Sequence, residues 1–301
     1  MKKLLLLLLL LSLSFTTMAA WPTKDITIIV PYVPGGNADF HSREVAMYIE
    51  KEIKTPVIIK YMPGADGLVA QNYLTQLDKN DNHTFMFNTE AIMIASVKKG
   101  DNDHRNLVAT NIFIKYPSLL IGGPNTSIDN FKKQIADGKT INVAVLGLNG
   151  IHVIWASQLS GTDLKFNFVP YKGLGQIIPD LLSGTVEYVL TTVSPTMINF
   201  EKEGKIHPIM ASTVTDNLSV PSFKKFGFKG NSMEGFLGFS TRRDTSDEAI
   251  EKFSELVRKN TISNSKVQEL NSQGMNVINL YNKDADNFVT KYLNLLEKDK
   301  K

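Results

Sequence analysis

Short runs of apolar, β-branched residues alternate along this chain with longer amphipathic stretches. The first run, residues 25–30, ends at Pro31 and the glycine pair Gly35 and Gly36, and a helical pattern begins at Ala38. Apolar runs bounded by Pro and Gly are typical of buried strands, whereas apolar residues every three or four positions are typical of helices. The alternation predicts strand–helix–strand units joined by right-handed crossovers in parallel sheets.

The same pattern continues to the end of the chain. It predicts strands at residues 25–30, 56–61, 84–87, 141–145, 166–169, 186–191, 206–211 and 236–240. It predicts helices from residue 38 and at residues 68–77, 151–159, 177–182, 246–260 and 285–297, and a short helix capped by Ser127 or Asp129.

The pattern predicts more strand–helix units than one sheet normally holds, and it includes two long extended stretches. They lie near residues 107–122 and 230–241, and we interpret them as crossings of the chain between two α/β domains. The first domain would then be discontinuous, built from residues 21–115 plus 232–301. The second domain would span residues 116–231.

The first twenty residues have the pattern of a secretory signal peptide. Lys2 and Lys3 precede a leucine run at residues 4–11, and small residues follow at positions 16–20. The apolar stretch is shorter than the ~20 residues that a membrane span needs, although an uncleaved anchor is the alternative. We therefore expect a periplasmic protein whose fold begins near Trp21.

Composition excludes several classes of protein. The 301 residues are 43% hydrophobic, enough to bury a core, and include no cysteine. The hydrophobic content excludes an intrinsically disordered chain. The absence of cysteine excludes a disulfide scaffold, a cysteine-based metal site and a thiol nucleophile. The formal charge of +3 is too small for a nucleic-acid binder, which usually has a clustered basic excess.

Motifs of common enzymes and cofactor sites are also missing from the sequence. Neither phosphate-binding glycine pattern is present, and no Gly-x-Ser-x-Gly elbow occurs. Residues 222–225 have a Ser-x-x-Lys pattern, but no Lys-Thr-Gly follows them. The five histidines do not have the spacing of metal ligands. We predict no enzyme activity, no catalytic residue, no metal and no cofactor.

The loop after the first predicted strand is the first candidate ligand site. In open parallel sheets, ligands bind outside the carboxyl ends of the strands. Gly35 and Gly36 let the backbone approach a ligand, and the following helix would direct unpaired N–H groups and its positive dipole end at an anion. Asp39 can cap this helix and pair with Arg43 one turn later. The alternative is that the glycine pair only makes a tight turn.

Loops after later predicted strands complete the candidate site, and two of them again place glycine before a helix. From the first loop we select Val33, Pro34, Gly35, Gly36, Asn37 and Asp39. From the others we select Asn88, Thr89 and Glu90; Gly147, Leu148, Asn149, Gly150 and His152; Tyr171 and Lys172; and Thr191, Thr192 and Ser194. Lys172 could instead be a solvated lysine in a turn.

One histidine differs from the other four in its position. His152 lies in a candidate loop and is a possible ligand contact. His41, His83, His104 and His207 have no such context, so we expect them at the surface or at helix caps.

Several segments resemble one family of exported proteins. Residues 21–39, with the sequence WPTKDITIIVPYVPGGNAD, are similar to the opening of the Bug receptors, the periplasmic substrate-binding proteins of tripartite tricarboxylate transporters. The resemblance continues in order through residues 63–65, 169–173, 180–184, 220–223 and 273–274. It covers essentially the whole chain after residue 20.

This resemblance implies a fold, a ligand and a partner. The fold would be the two-domain Venus flytrap of type II periplasmic binding proteins, with a parallel-type sheet in each domain and two crossing strands. The ligand would be a small organic acid or amino acid in the interdomain cleft. One carboxylate would be held mainly by loop backbone and by small hydroxyl or amide groups, often through water. The partner would be the membrane permease of the transporter, and we expect a monomer.

Two departures from the family pattern lie within the candidate site. At residues 147–152 the sequence is GLNGIH, without the expected hydroxyl, for which Asn149 may substitute. Glu90 stands where relatives usually have a small neutral residue. A carboxylate there would repel a second anionic group or attract an amino group, or it would point away from the cleft. An exported enzyme acting on a small carboxylate and a receptor serving a signalling partner are the alternative functions.

Overall fold

The computed structural model describes residues 20–100, 103–157, 159, 164–192, 194–213, 220–229, 234–262, 264–272 and 274–298. The predicted signal peptide therefore lies, except for Ala20, outside the described residues. Among the helices of these ranges, none combines the length and apolar character needed to cross a membrane.

Eleven strands and ten α-helices make up the described part of the chain. The strands are β1 (Ile26–Val30), β2 (Val57–Tyr61), β3 (Thr84–Thr89), β4 (Leu107–Pro117), β5 (Leu119–Gly122), β6 (Thr140–Leu146), β7 (Lys165–Tyr171), β8 (Tyr188–Thr191), β9 (His207–Ala211), β10 (Glu234–Arg242) and β11 (Asn276–Tyr281). The helices are α1 (Asn37–Ile53), α2 (Leu68–Thr75), α3 (Glu90–Lys99), α4 (Ile128–Ala136), α5 (Ile151–Ser157), α6 (Leu174–Ser183), α7 (Pro195–Lys202), α8 (Asp247–Thr261), α9 (Asn264–Ser272) and α10 (Lys283–Lys298).

The strands form two separate sheets, each the centre of one lobe. Lobe 1 has six strands in the order β11-β4-β10-β3-β1-β2, and lobe 2 has five in the order β7-β6-β8-β5-β9. Helices α1 to α3 and α8 to α10 belong to lobe 1, and α4 to α7 belong to lobe 2. The domain boundaries suggested above, 21–115 plus 232–301 and 116–231, stay a prediction.

The predicted parallel pairing is present in one part of each sheet. Strands β2, β1 and β3 are parallel, as are β7, β6 and β8. In contrast, β10 is antiparallel to both β3 and β4, and β5 is antiparallel to both β8 and β9. The antiparallel pairs all involve strands next to the crossings, since a chain that arrives from the other lobe runs against the crossover strands.

The first crossing between the lobes is at Ser118. This residue separates β4 in one sheet from β5 in the other. Its N–H donates to the Ser212 hydroxyl (2.9 Å), and its carbonyl accepts the Ser212 N–H (2.8 Å). The second predicted crossing precedes β10, and its residues 230–233 lie outside the described residues.

Aromatic side chains fill much of both cores. In lobe 1, Phe85 on β3 and Phe253 on α8 stack with ring centroids 3.6 Å apart, and both are fully buried. In lobe 2, Trp155 packs edge-on against Phe223 at 6.0 Å. Helix α8 is amphipathic, as predicted, and it packs its apolar face against the sheet. The Ser246 hydroxyl caps this helix by accepting the Ala249 N–H.

Some predictions about local structure were wrong or incomplete. Helix α3 was not predicted, because its first eight residues are all buried and leave no polar face to reveal a helical period. As a result, Asn88 and Thr89 belong to β3 and Glu90 begins α3, where a loop was predicted. Of the two N-cap candidates for α4, Ser127 is the cap.

The histidine prediction also needs correction. His41, His83 and His104 are buried in lobe 1 and are not surface residues. Burial lowers the pKa of His41 and of His83, which favours their neutral rings. A neutral imidazole costs less free energy to bury than a charged side chain, which allows a histidine to lie in a core.

Candidate ligand cleft between the lobes

A small cavity lies between the lobes at the carboxyl ends of strands from both sheets. Its volume open to the centres of water-sized molecules is about 60 Å³, room for a few waters. Lobe 1 contributes Tyr32, Val33, Gly36, Asn37, Ala38, Phe87, Thr89, Glu90, Ala91, Tyr116 and Leu237, and lobe 2 contributes Leu146, Gly150, His152, Gly173, Leu174, Thr191 and Thr192. Among these described lining residues there is no lysine or arginine.

Three helices begin at this cavity. The first residues of α1, α3 and α6 are Asn37, Glu90 and Leu174, and all three line the wall. The first turn of a helix has N–H groups without intrahelical partners and carries the positive end of the helix dipole. The wall at the starts of α1 and α6 is therefore positively polarised by backbone rather than by cationic side chains, whereas the start of α3 carries the Glu90 side chain.

Two threonines of lobe 2 add hydroxyl groups to the wall. Thr191 ends β8, Thr192 follows it, and both are buried. Within the described ranges, neither Oγ1 atom has a hydrogen-bond partner. Because a buried hydroxyl without a partner costs free energy, these two atoms are suited to contact a bound molecule.

Glu90 is the buried acid of the cavity, 1% exposed at the start of α3. The Tyr116 hydroxyl lies 2.9 Å from Oε1 and 2.8 Å from Oε2, and the Phe236 N–H donates to Oε2 at 3.1 Å. Burial raises the pKa of Glu90 to about 6, although hydrogen bonds from Tyr116 and from the N–H groups of Phe236, Glu90 and Ile151 favour the ionised form. The carboxylate is therefore ionised above pH 6 and well supported by donors.

His152 also lines the cavity and contacts Tyr116, the hydrogen-bond partner of Glu90. Its ring stacks on Tyr116 with centroids 5.9 Å apart, and its Nδ1 lies 2.8 Å from the Ser118 hydroxyl. Burial lowers the pKa of His152 to about 4, so the imidazole is neutral at pH 7. It offers the cavity a polar ring without a charge.

The buried His152 should make folding stability depend on pH. As the pH falls from 6.5 to about 4, the unfolded chain binds a proton at this residue and the folded protein does not, so stability is lost. Wild type should lose about 3 kcal/mol more unfolding free energy than His152→Asn over this range. Denaturant titrations between pH 7 and pH 4 measure this difference. His207→Asn, on β9, is the control, and parallel curves for wild type and His152→Asn would refute the expectation.

Tyr32 is a cavity residue that the sequence analysis did not select. Its hydroxyl lies 3.0 Å from the Thr89 hydroxyl, and burial raises its pKa, so the phenol stays protonated. Tyr116 was missed as well, because it lies in the long extended stretch and not in a loop. Tyr32 could have been found, since it follows Pro31 within the first candidate loop.

Loops of the two lobes touch directly beside the cavity, and we call these the rim contacts. The Asn149 side-chain amide donates to Asp66 Oδ2 (2.5 Å), and the Val33 N–H points at the Lys172 carbonyl (3.5 Å). A Cβ on Gly147 would lie 1.5 Å from Asp66 Oδ1, and a Cβ on Gly175 would lie 2.2 Å from the Pro34 carbonyl oxygen. These glycines therefore permit the close approach of the lobes.

About half of the residues selected from the sequence line the cavity. They are Val33, Gly36, Asn37, Thr89, Glu90, Gly150, His152, Thr191 and Thr192. Gly147, Tyr171 and Lys172 instead border an adjoining groove with Asp66. Leu148 is exposed, and Asn149 makes its rim contact with Asp66.

Pro34, Gly35 and Asp39 do not line the cavity. Asp39 instead supports the first loop from outside it. It accepts hydrogen bonds from the Gly35 N–H (2.9 Å), from Arg43 Nε (2.6 Å) and from the Tyr61 hydroxyl. Partial burial opposes ionisation, but these donors together lower the pKa of Asp39. The predicted pairing with Arg43 is thus present, and it fixes the backbone before α1.

Two other selected side chains are engaged elsewhere. Asn88 is buried within β3 and donates to the Ser240 hydroxyl on β10. Ser194 caps α7 by accepting the Met197 N–H at 3.2 Å. Neither lines the cavity.

Most of the chain matches one protein family. Residues 41–298 match the model of the tripartite tricarboxylate transporter family receptor. The chain is 24% identical to BugT of Bordetella pertussis over 223 residues, which cover 69% of this chain and 67% of BugT. It is 22% identical to a UPF0065 protein of Agrobacterium vitis over 251 residues, which cover 79% and 72% of the two chains.

Solved structures of similar fold include two proteins of Rhodopseudomonas palustris. MatC, solved with bound malate, has a TM-score of 0.78 and 18% identity, covering 93% of this chain and 98% of MatC. A second protein, solved with adipate, has a TM-score of 0.79 and 19% identity, with coverages of 93% and 95%. At this level of identity the likeness shows a common two-domain α/β fold.

Proposed function

Since the chain belongs to the tripartite tricarboxylate transporter receptor family of periplasmic solute receptors, we propose that it binds a small organic carboxylate between its lobes and delivers it to a membrane permease. Members of this family are receptors rather than enzymes, which agrees with the expectation of no enzyme activity. We also propose export through the leader at residues 1–20 and a location in the periplasm.

One observation carries the proposal of a carboxylate ligand. The starts of α1 and α6 and the unpartnered hydroxyls of Thr191 and Thr192 meet in one cavity between the lobes. N–H and O–H donors in a largely apolar wall bind a carboxylate strongly, since charge-assisted hydrogen bonds are the strong ones. Two proteins of the same fold were solved with malate and with adipate, which supports an organic acid as the ligand.

The proposed mechanism needs no chemical step. The ligand enters an open cleft and contacts the starts of α1 and α6, one from each lobe, and the lobes close by bending at the crossing around Ser118. Closure brings together the rim contacts, such as Asp66 with Asn149. The joined rims of the two lobes then form the surface that the permease recognises.

The variants Thr191→Val and Thr192→Val test the site. Each should weaken ligand binding without lowering stability. Each change keeps the side-chain shape and removes a buried hydroxyl that has no partner among the described residues, so the free energy of unfolding should stay equal or rise. Loss of a hydrogen bond to a charged carboxylate should weaken binding about tenfold.

The measurement is calorimetric titration with whichever acid gives the largest thermal shift in a screen of organic acids. A ligand at ~100 times its dissociation constant stabilises by about 2.7 kcal/mol, which such a screen detects readily. Thr290→Val, an exposed threonine on α10, is the matched control. Full affinity in both cavity variants would count against this site, and an acid screen without any hit would count against the proposed function.

A further inference from the structure

The Glu90 carboxylate already accepts hydrogen bonds from one group of donors in the cleft. The Phe236 N–H comes from the crossing strand β10, the Ile151 N–H from lobe 2, and the hydroxyl from Tyr116 on β4. The N–H of Glu90 itself is the fourth donor. Because an ionised carboxylate has about four acceptor sites, these donors satisfy it without help from a ligand.

A second ligand carboxylate would find no compensation near Glu90. Among the described residues that line the cavity, Glu90 is the one with a formal charge at pH 7, since His152 is neutral. The wall of the cavity is mostly apolar and includes Phe87, Leu146 and Leu237. Two carboxylates close together in such a site repel strongly, because few water molecules screen them.

We propose that Glu90 acts as a built-in carboxylate that restricts the cleft to ligands with one carboxylate and an uncharged far end, and that it excludes dicarboxylates. This inference rests on the proposed function, since it assumes that one ligand carboxylate binds at the starts of α1 and α6 and at Thr191 and Thr192, and not at the start of α3, whose N–H group the Glu90 carboxylate already accepts. Glu90 is thus a specificity-determining residue. The ligand class is a small monocarboxylic acid, either apolar or amide-bearing beyond its carboxylate.

The test compares pairs of acids that differ only in the charge of the far end. Succinate is paired with succinamate and adipate with adipamate, and butyrate and hexanoate serve as apolar monocarboxylates. Calorimetry on the wild-type chain at pH 7.5 should give at least about 30-fold tighter binding of the uncharged member in the pair that fits. This comparison needs no variant, so it remains decisive if a substitution at Glu90 impairs folding.

Glu90→Gln should then reduce that preference to less than about threefold, because it removes the charge and keeps the shape. Glu251→Gln removes the same charge from an exposed position on α8 and should leave the preference unchanged. A wild-type chain that binds a dicarboxylate as tightly as its half-amide would overturn the inference and leave the proposed function intact. Unchanged discrimination in Glu90→Gln would also overturn it. Failure of all six acids to bind would overturn the proposed function, and the inference with it.

Discussion

Gly175→Val should weaken binding of the best acid from the screen by about 100-fold or more, equal to ~2.7 kcal/mol, while both lobes remain folded. Gly175 lies in the first turn of α6, in lobe 2, where a side chain is compatible with the helix. Its Cβ would nevertheless lie 2.2 Å from the Pro34 carbonyl oxygen of lobe 1. Backbone cannot yield as a flexible side chain does, so the lobes must separate and the helix starts no longer converge.

Two measurements distinguish a cleft held open from a damaged lobe. Calorimetry gives the affinity, and small-angle scattering gives the radius of gyration, which should increase slightly and fail to contract with the acid. Asn199→Val places the same side chain on an exposed position of α7 and should change the affinity less than about threefold, since surface substitutions rarely perturb distant sites. Wild-type affinity in Gly175→Val would mean that closure of this rim is not needed for binding.

Phe253→Ala should destabilise the protein by about 3–5 kcal/mol, the usual range for removing a buried phenylalanine. The ring is fully buried, stacks on Phe85 at 3.6 Å and meets Phe239 edge-on at 5.5 Å. The cavity left behind lies between α8 and the sheet of lobe 1, where rigid strands cannot collapse into it. The melting temperature should fall by roughly 6–15 °C.

The matched control for this loss is Met47→Ala on α1. Met47 is 64% exposed, so its truncation should change stability by less than about 0.5 kcal/mol. Denaturant titration of both variants measures the two values. A loss below about 1 kcal/mol in Phe253→Ala would show that α8 does not depend on this aromatic stack.

Much of the fold could be predicted from the sequence because local patterns and tertiary packing agree. The run at β1 is β-branched and apolar, as a strand buried on both faces requires, and Ser246 caps an amphipathic α8. Helix α3 could not be predicted in this way. This helix packs against elements of both lobes and its first eight residues are buried, so its sequence lacks the polar face by which a helix is recognised.

The candidate site was predictable where it depends on chain-local features. Glycine before a helix indicated Gly36 and Gly150, and polar residues after strands indicated Thr89 and Thr191. The environment of Glu90 was not predictable. Its donors come from Tyr116 and Phe236, which are brought together by antiparallel pairing of β4 with β10, strands far apart in sequence.

The rim contacts also have a consequence for the timing of transport. Asp66 holds its left-handed backbone (φ 54°) in the loop that meets Asn149, and the contact joins the lobes through protein atoms alone. Its free energy therefore favours closure whether the cavity is filled or empty, and only the open fraction of molecules admits solute. Under the proposed mechanism, the rate of solute binding is reduced in proportion to the open fraction. The solute is released only after the hydrogen bond between Asp66 and Asn149 breaks. In that mechanism a long residence time follows, and unloading would depend on a permease that separates Asp66 from Asn149.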